Sequence, residues 1–406
     1  MIARFRPSVA RGSVDAPPSK TLAHRFLLAA ALSESPSVVR GLCLSEDVLA
    51  TIDCARSLGA DVRLDGTDAH VDPQALPPSD LFPCRESGST LRFFLPAALR
   101  RPTGSLFTGS PRLLERPLGV YEDLCRDKGL KFGREDGGIR VRGPLEPGNF
   151  RINGSVSSQF ITGLLFALPL LPGPSVLELV PPVVSLPYVK ISVSVLRRSG
   201  IRIEEDGPNG FRIPGNQVFR AKDVRVEGDW SNAAFPDALN LIGGRVKVGN
   251  LDPESEEGDR AYRQIYPLLS EGSPTVDIRD IPDLAPVIMA LGSALHGVTL
   301  TGTARLKLKE SDRGSAMAEE IAKFGARCEI GEDEIRVFPS PGGLKKPDQP
   351  VYAHNDHRIA MAASLLLSLT GGELMGAECV RKSWPEFYEA LSKLGIEVSL
   401  HDDPQR

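Results

Sequence analysis

The chain has 406 residues, of which 41% are hydrophobic and 25% are charged, and its formal net charge is −4. This length exceeds what one hydrophobic core usually organises, so we expect about two domains. The slightly acidic balance excludes a general attraction to nucleic acid, so any anion site must come from local clusters of basic residues.

The sequence predicts neither a secretory signal nor a membrane-spanning helix. The first 20 residues lack the apolar run of a secretory signal, and the stretch 160–184 is interrupted by five prolines before it could cross a bilayer. The six cysteines lie far apart without a C-x-x-C pair, which excludes the usual zinc frameworks and favours free thiols. We therefore expect a cytoplasmic protein that binds no membrane.

Amphipathic segments that end in glycine recur along the chain, each followed by the alternating pattern of a strand. The first is LATIDCARSLGADVRL, and the closing glycines are Gly59, Gly129, Gly200, Gly272, Gly325 and Gly395. They are 70 to 72 residues apart except in the fourth interval, which is 53. Glycine after a helix indicates a left-handed C-terminal stop, and the alternation predicts a strand.

A second series, of Ala- and Leu-rich apolar segments, alternates with the first. The residues that open these segments are Ser19, Ser87, Ser157, Ser231, Asp283 and Asp356. Their fourth interval is again short, at 52 residues against 68 to 74 elsewhere. Two independent markers thus predict six units, grouped as two domains of three, each unit with a buried and an amphipathic helix. The alternative is a selective alignment of helices that any α/β protein contains.

The heads of the buried segments carry more charge than a helix cap requires. A helix N-terminus attracts anions because its first N–H groups are unpaired and its dipole end is positive. Lys20 and Arg25 stand at the first head, Arg92 at the second, and His357 and Arg358 at the sixth. We expect these heads to face one cleft that binds a small polyanion, with nearby acids carrying protons.

Simpler roles remain open for some of these residues. The opening serines are good helix caps, and Asp283 is equally well explained as a cap. Lys309 and Arg313 lie four residues apart and would share a helical face if a helix begins there, whereas Glu310 could form a surface ion pair with Arg313. Arg92 is harder to explain structurally, because an unpaired guanidinium inside an apolar helix is costly.

Ten short motifs, in order along nearly the whole chain, resemble the 5-enolpyruvylshikimate-3-phosphate synthase (3-phosphoshikimate 1-carboxyvinyltransferase) family. They are PPSKTLAHRFLLAAAL, SGSTLRFF, TGSPRLLERPLG, VSSQFITGLL, SLPYVKIS, VEGDWSNAAF, IPDLAPVIMAL, KLKESDRGSAM, NDHRIAMAASL and CVRKSWPEF. One such motif is weak evidence, whereas ten in order are highly specific.

The resemblance implies an α/β enolpyruvyl transferase fold of six βαβαββ units, three per domain, in an inside-out barrel-like clamp. By the family pattern, residues 1–18 and 227–406 form one discontinuous domain and residues 19–226 form the other. The implied reaction transfers the enolpyruvyl group of phosphoenolpyruvate to the 5-hydroxyl of shikimate 3-phosphate, in aromatic amino acid biosynthesis, and releases phosphate. The resemblance implies no metal or organic cofactor, and we expect a monomer.

Residue by residue, the resemblance implies three overlapping sets of site residues. The catalytic set is Lys20, Asp283 (base at the 5-hydroxyl) and Glu310 (proton transfer at the methylene carbon). The shikimate 3-phosphate set is Lys20, Thr21, Arg25, Ser157, Ser158, Gln159, Ser185, Tyr188, Asp283 and Lys309. The phosphoenolpyruvate set is Lys20, Gly88, Arg116, Gln159, Arg313, His357, Arg358 and Lys382.

Some positions depart from the common family pattern, namely Glu86, Ser89, Trp230 and Arg305. An acid at position 86 would repel phosphoenolpyruvate unless it is paired, with Arg85 or Arg92 as candidate partners. These departures put substrate contacts and inhibitor sensitivity in question, while the implied acid–base pair is intact.

Two other functions are compatible with such a fold. A UDP-N-acetylglucosamine enolpyruvyl transferase shares the fold and the chemistry, but it normally uses a flexible-loop cysteine, and the loop before ERPLG has none. A non-catalytic anion-binding relative would have no need of two acids among its basic residues, so the presence of Asp283 and Glu310 argues against it.

Overall fold

The computed structural model describes residues 1–135 and 137–402, and the chain divides into two compact units. The terminal unit consists of Met1–Pro17 and Gly228–Arg406, and the middle unit of Pro18–Glu227. Each unit has its own hydrophobic core, as expected for a chain that is too long for one.

The two units are built from alternating strands and helices. In chain order the strands are β1 (Ile2–Phe5), β2 (Arg11–Asp15), β3 (Ser37–Arg40), β4 (Asp61–Asp65), β5 (Asp68–Asp72), β6 (Leu81–Pro83), β7 (Gly104–Thr108), β8 (Lys131–Glu135), β9 (Gly138–Arg142), β10 (Asn149–Asn153), β11 (Ser175–Val180), β12 (Glu204–Glu205), β13 (Gly210–Ile213), β14 (Val224–Arg225), β15 (Arg245–Gly249), β16 (Thr275–Asp277), β17 (Val298–Thr301), β18 (Arg327–Ile330), β19 (Glu334–Phe338), β20 (Val351–Tyr352), β21 (Gly372–Met375) and β22 (Val398–His401). The helices are α1 (Lys20–Ala31), α2 (Glu46–Ser57), α3 (Gly88–Leu99), α4 (Pro111–Glu115), α5 (Gly119–Asp127), α6 (Ser158–Ala167), α7 (Leu186–Arg198), α8 (Trp230–Ala238), α9 (Tyr262–Glu271), α10 (Ala285–Ala294), α11 (Arg313–Ala322), α12 (His357–Thr370) and α13 (Phe387–Lys393). Among the described residues, no helix is long and apolar enough to cross a membrane.

The middle unit repeats one pattern three times. In each copy two parallel strands flank a buried helix, and an amphipathic helix then leads to an antiparallel hairpin. The strand orders are β14-β3-β5-β4, β6-β7-β9-β8 and β10-β11-β13-β12, and the first pair of each is parallel. Strand β14 is the last strand of the middle unit and β3 is the first, yet the two pair with each other. The end of the middle unit therefore completes the copy that starts at α1.

The terminal unit repeats the pattern with two modifications. Its sheets have the orders β16-β17-β19-β18, β20-β21-β1-β22 and β15-β2. The N-terminal strand β1 pairs antiparallel with β21 and β22 and so takes the place of one hairpin strand in the last copy. The copy with β2 and β15 has only these two strands, because the chain passes from α9 directly to β16. This missing hairpin explains the short fourth interval in both sequence series.

The predicted helix starts are correct for four of the six buried segments. The residues that cap their helices with a side-chain oxygen are Ser19, Ser87, Ser157 and Asp356. The prediction was wrong for Ser231, because Asp229 lies two residues earlier and its carboxylate accepts the N–H of Asn232 at 2.8 Å. It was also wrong for Asp283, which lies inside a 3-10 turn before α10, because the N-cap of α10 is Leu284.

The predicted glycine stops are left-handed in five of the six places, with φ between 66° and 108° at Gly59, Gly129, Gly200, Gly325 and Gly395. Gly272 is the exception, since it leaves α9 in an extended conformation with φ 177°. The exception falls at the copy that lacks a hairpin, where the chain continues directly into β16.

Helices α3 and α6, which carry several predicted site residues, pack closely at Gly163. The hydroxyl of Tyr121 lies 2.7 Å from the backbone oxygen of Arg92 and 3.1 Å from that of Phe160. A Cβ atom at position 163 would overlap both the Arg92 oxygen and the Tyr121 hydroxyl. Gly163 therefore sets the distance between the two helices.

We predict that Gly163→Ala destabilises the protein by about 1–3 kcal/mol, because the added methyl group overpacks a fixed backbone contact. The matched control is Gly119→Ala at the start of α5, where a Cβ would meet no atom within 4 Å. The control is expected to leave the free energy of unfolding unchanged or to raise it by up to about 1 kcal/mol. Denaturant titration of both variants measures the difference, and equal stabilities would contradict the prediction.

Candidate active site

In the middle unit, the head of α1 holds a cation beside an acid. The Lys20 ammonium nitrogen lies 2.9 Å from a carboxylate oxygen of Asp47, and both side chains are mostly buried. Asp47 lies in the first turn of α2, which Ser45 caps. The structure thus places the Lys20 ammonium group, paired with Asp47, at the head of the buried helix α1, next to Thr21.

Arg25 joins three helices through its guanidinium, which is almost entirely buried. Its nitrogens donate hydrogen bonds to the Ser192 hydroxyl at 2.9 Å, the Thr162 hydroxyl at 3.4 Å, and the backbone oxygens of Thr21 at 2.7 Å and Tyr188 at 3.0 Å. These acceptors lie on α1, α6 and α7, and all of them are neutral. The positive charge of Arg25 is therefore held in place by hydrogen bonds to neutral groups.

Gln159, in the first turn of α6, is oriented by two residues of α3. Arg92 donates a hydrogen bond to its Oε1 atom at 2.7 Å, and its Nε2 atom donates to the Ser89 hydroxyl at 3.0 Å. Arg92 also donates to the backbone oxygen of Pro117 at 3.1 Å and lies over the ring of Phe160. The Arg92 guanidinium thus fixes the orientation of the Gln159 amide, with Oε1 as the acceptor and Nε2 as the donor. This role of Arg92 was not predicted from the sequence.

Two arginines converge on the head of α3. A Cβ atom at Gly88 would lie 2.5 Å from a terminal nitrogen of Arg116 and 3.0 Å from one of Arg92. Both guanidinium groups are buried. Because the first N–H groups of a helix and its dipole favour anions, this combination suits a phosphate or carboxylate group.

The remaining predicted residues of the middle unit lie at the heads of α6 and α7. The Ser157 hydroxyl accepts the N–H of Gln159 at 3.3 Å, and Ser158 is the first residue of α6. Ser185 precedes α7 with a φ of 57°, which is uncommon for a residue with a side chain. Tyr188 lies one turn into α7. The residues predicted in the middle unit thus lie at or near the heads of α1, α3, α6 and α7.

In the terminal unit, Asp283 lies among three cations. Its Oδ1 atom is 2.9 Å from the Lys309 nitrogen and 2.8 Å from an Arg313 nitrogen, and Arg358 approaches Oδ2 at 3.5 Å. The predicted helical face shared by Lys309 and Arg313 is wrong, because α11 begins only at Arg313 and Lys309 is extended. The two side chains meet because both bind Asp283.

Arg313, with 1% of its side chain exposed, links three carboxylates. Besides Asp283, it binds Glu310 at 2.7 Å and Asp356 at 3.0 Å. The Glu310 side chain is only 18% exposed. The surface ion pair considered for Glu310 is therefore excluded, and the pair belongs to a buried network.

The charges of this network shift the pKa values of its members. Burial alone would raise the pKa of Asp283, but Lys309, Arg358 and Arg313 hold that pKa well below its usual value. Burial lowers the pKa of Lys309 in spite of the neighbouring Asp283. Although burial opposes it, the pKa of Arg313 is raised by its carboxylate partners. Asp283 is consequently ionised at neutral pH when no substrate is bound.

The head of α12 contributes a second buried arginine. The Asp356 carboxylate caps the helix by accepting the N–H of Arg358 at 2.9 Å, and the Arg358 side chain donates to Oδ1 of Asn232 at 3.0 Å. Within the described part of the chain, Nδ2 of Asn232 and Nε of Arg358 are buried and have no hydrogen-bond partner. Buried donors usually have a partner, so these two atoms mark a place that suits a ligand.

His357 and Lys382 complete the predicted set of the terminal unit. His357 is the first residue of α12 and is fully buried. The Lys382 nitrogen donates to the backbone oxygen of Asn355 at 2.6 Å. The structure thus brings Lys382 to the residues that precede α12, close in the chain to Arg358.

One residue that departs from the family pattern, Trp230, is buried, and the arginine next to another, Glu86, has other acidic partners. Trp230 is 2% exposed and is part of the core of the terminal unit. Arg85, a candidate partner of Glu86, forms ion pairs with Glu46 at 2.6 Å and Asp53 at 2.8 Å. The large residue at position 230 therefore contributes to packing.

Several residues that bind the predicted ones were not themselves predicted as site residues from the sequence. Asp47 is an ordinary first-turn acid in SEDVLA, and Asn232 lies inside an apolar segment. Asp356 was predicted only as the residue that opens a helix, although it also binds Arg313. Their partners are 27, 126 and 43 residues away in the chain. The one available signal was that polar residues stand inside or at the head of buried helices.

Comparison with known proteins gives the family. The sequence matches the model of the family described as EPSP synthase (3-phosphoshikimate 1-carboxyvinyltransferase) over residues 6–391. Similar proteins include the 3-phosphoshikimate 1-carboxyvinyltransferases of Clostridium novyi, 35% identical with 96% of each chain covered, and of Clostridium kluyveri, 36% identical with 97% of each covered. The chain belongs to the EPSP synthase family.

Solved structures of low sequence identity share the fold. An EPSP synthase from Acinetobacter baumannii has a TM-score of 0.77 at 21% identity, covering 98% of this chain and 99% of its own. The enolpyruvyl transferase NikO from Streptomyces tendae has a TM-score of 0.76 at 17% identity, covering 98% of each chain. The family, the α/β enolpyruvyl transferase fold and the enolpyruvyl transfer predicted from the sequence are confirmed, and the UDP-N-acetylglucosamine alternative is not favoured.

We predict that Arg313→Met destabilises the protein by about 3–5 kcal/mol, because it leaves three carboxylates without their shared buried counterion. The matched control is Arg336→Met, which removes an exposed ion pair with Glu334 and is expected to cost no more than about 1 kcal/mol. Denaturant unfolding at neutral pH measures both. A small cost for Arg313→Met would contradict the role of this arginine.

Proposed function

We propose that both groups of side chains serve one reaction, the transfer of the enolpyruvyl group of phosphoenolpyruvate to the 5-hydroxyl of shikimate 3-phosphate with release of phosphate. Each substrate carries a phosphate and a carboxylate. The helix heads of the middle unit and the buried arginines of the terminal unit supply the N–H donors and positive charges that such groups require. A monomer in the cytoplasm is part of the same proposal.

Shikimate 3-phosphate is assigned mainly to the middle unit. Arg25 is held in position by four hydrogen bonds to neutral oxygens, and a guanidinium group fits the geometry of a phosphate. The hydroxyl, amide and amine donors proposed to bind this substrate with it are Lys20, Thr21, Ser157, Ser158, Gln159, Ser185, Tyr188 and Lys309. Asp283 is the acceptor for the 5-hydroxyl.

Phosphoenolpyruvate is assigned to side chains of both units. In the middle unit these are Lys20, Arg116 and Gln159, with Gly88 allowing Arg116 to lie against the head of α3. In the terminal unit the proposed ligands are Arg313, His357, Arg358 and Lys382. The open donor atoms of Arg358 and Asn232 support this assignment, since an anion supplies acceptors for both.

The proposed chemistry consists of an addition and an elimination. The 5-hydroxyl oxygen attacks C2 of phosphoenolpyruvate and gives its proton to Asp283, while Glu310, in its protonated form, gives a proton to the methylene carbon, which becomes a methyl group. The C2–O bond to phosphate then breaks, the methyl group returns its proton to Glu310 so that the double bond re-forms, and the proton on Asp283 leaves with the phosphate. Lys20 and the arginines stabilise the departing phosphate.

The observation that carries this proposal is that one buried arginine, Arg313, binds both proposed proton carriers. Together with Lys309 and Arg358 it holds Asp283 ionised, as a base must be, and it lies 2.7 Å from Glu310. Substrate anions that compete for Arg313 and Lys309 would relieve the strong stabilisation of the Asp283 carboxylate and raise its proton affinity.

We predict that phosphate is released only when phosphoenolpyruvate and shikimate 3-phosphate are both present, because attack by the 5-hydroxyl precedes loss of phosphate. A phosphate-release assay with each substrate omitted in turn tests this. Release that requires UDP-N-acetylglucosamine instead would establish the other transferase, and tight binding of both substrates without release would establish a non-catalytic relative.

We predict that Glu310→Gln lowers kcat by about 10²–10⁴-fold, because a proton carrier acts mainly on the barrier. Substrate dissociation constants are expected to change little. The matched control is Asp312→Asn, two residues away, where an amide still accepts the N–H of Ser315 that Asp312 accepts. Steady-state kinetics and calorimetry separate the two effects, and equal losses in binding and turnover would contradict the assigned role.

A further inference from the structure

The residues before α12 adopt an uncommon backbone conformation. His354 has a φ of 50° and Asn355 a φ of 53°, so two successive residues with side chains lie in the left-handed region. The N–H of Asp356 then bonds to the backbone oxygen of Ala353 at 2.8 Å. Such a conformation persists only when neighbouring groups hold it.

A buried carboxylate on α11 holds this segment. The side chain of Glu320 has no exposed surface and accepts hydrogen bonds from Nε2 of His354 at 2.7 Å and from the N–H of Tyr352 at 2.9 Å. Lys323 donates to both Glu320 oxygens at 2.9 and 2.7 Å and to the backbone oxygen of Pro350 at 3.2 Å. One acid therefore ties α11 to β20 and to the left-handed pair.

The same helix also holds the other end of the segment. Arg313 is the first residue of α11 and binds Asp356, while Glu320 lies seven residues later, two turns along the same face. Between these two anchors, the backbone oxygen of Asn355 accepts the hydrogen bond from Lys382. A shift of the left-handed pair would therefore move an acceptor of Lys382 and the carboxylate that binds Arg313.

We propose that Glu320 and His354 are positioning residues for the transfer reaction. By fixing the left-handed pair they set Asn355 and Asp356, and through these they set Lys382 and Arg313. The inference rests on the roles proposed above for Lys382 and Arg313 in binding phosphoenolpyruvate. Neither Glu320 nor His354 is assigned contact with a substrate.

A metal-binding role is the alternative for this cluster. Among the described residues, one group of three His, Cys, Asp or Glu side chains is close enough together to hold a metal ion. It consists of Glu319, Glu320 and His354. The Lys323 ammonium already contacts both oxygens of Glu320, however, so a cation is present there without a metal. The cluster is accordingly explained as an ion-pair network.

The protonation state of His354 should affect how firmly Glu320 holds the segment before α12. The hydrogen bond to Glu320 raises the pKa of His354, against the effect of burial, with Glu319 adding to the increase and Lys323 opposing it. Burial would raise the pKa of Glu320, but the bonds from His354, Lys323 and Tyr352 lower it. The charged pair is therefore complete below the raised pKa of His354 and is weakened as the pH rises through it.

The test compares His354→Phe, which removes the hydrogen bond, with His354→Gln, which keeps an uncharged donor. We expect His354→Phe to raise the KM for phosphoenolpyruvate by about tenfold or more, since small misplacements of binding groups are costly. The Kd of shikimate 3-phosphate should stay unchanged, and His354→Gln should restore most of the loss. Exposed His401, replaced by Phe, is the matched control and should behave as wild type.

A pH series provides a second readout. The ratio of kcat/KM for phosphoenolpyruvate between wild type and His354→Gln should fall as the pH rises through the pKa of His354, measured by NMR on the wild type. A ratio independent of pH, equal losses for both substrates, or loss of activity on treatment with EDTA would overturn the inference.

The variant Lys382→Ala distinguishes an error in the positioning role of His354 from an error in the proposed phosphoenolpyruvate site. If Lys382→Ala raises the KM for phosphoenolpyruvate but His354→Phe does not, only the positioning role is wrong. If Lys382→Ala has no effect on that KM, the proposed phosphoenolpyruvate site is wrong.

Discussion

The burial of Arg313 among three carboxylates is the interaction on which the site of the terminal unit depends. A guanidinium with 1% exposure is unfavourable unless its donors are satisfied by charged acceptors. Asp283, Glu310 and Asp356 provide them, and the shared cation offsets the repulsion among these acids. The network therefore acts as one electrostatic unit, in which the position of each proton carrier depends on the others.

The middle unit buries cations in a different way, and the difference matches the division of labour proposed for the two units. Arg25 and Arg92 donate hydrogen bonds to hydroxyl, amide and backbone oxygens, which are neutral acceptors that hold the guanidinium groups in position. Lys20, in contrast, forms an ion pair with Asp47. One unit thus presents positive charge, whereas the other combines positive charge with proton carriers.

The success of the repeat prediction has a local cause. Caps and glycine stops act within one helical turn, so they leave a regular signal in the chain, and the short fourth interval corresponds to the hairpin missing after α9. The errors arose where two local signals compete. In GDWSN both Asp229 and Ser231 are good caps, but the Asp229 carboxylate accepts the N–H of Asn232, whereas the Ser231 hydroxyl bonds to Asp259. For Lys309 and Arg313, the spacing suggested a helix that begins only at Arg313.

The sequence by itself determined the family, the reaction class and the alternation of buried and amphipathic helices, because motif order and periodicity are properties of neighbouring residues. Only the tertiary structure decided which side chains form hydrogen bonds and ion pairs with each other. Asp47, Asn232 and Asp356 reach their partners across 27, 126 and 43 residues. Spacing along a chain carries no information about such contacts, since they form when separate helices pack into one core.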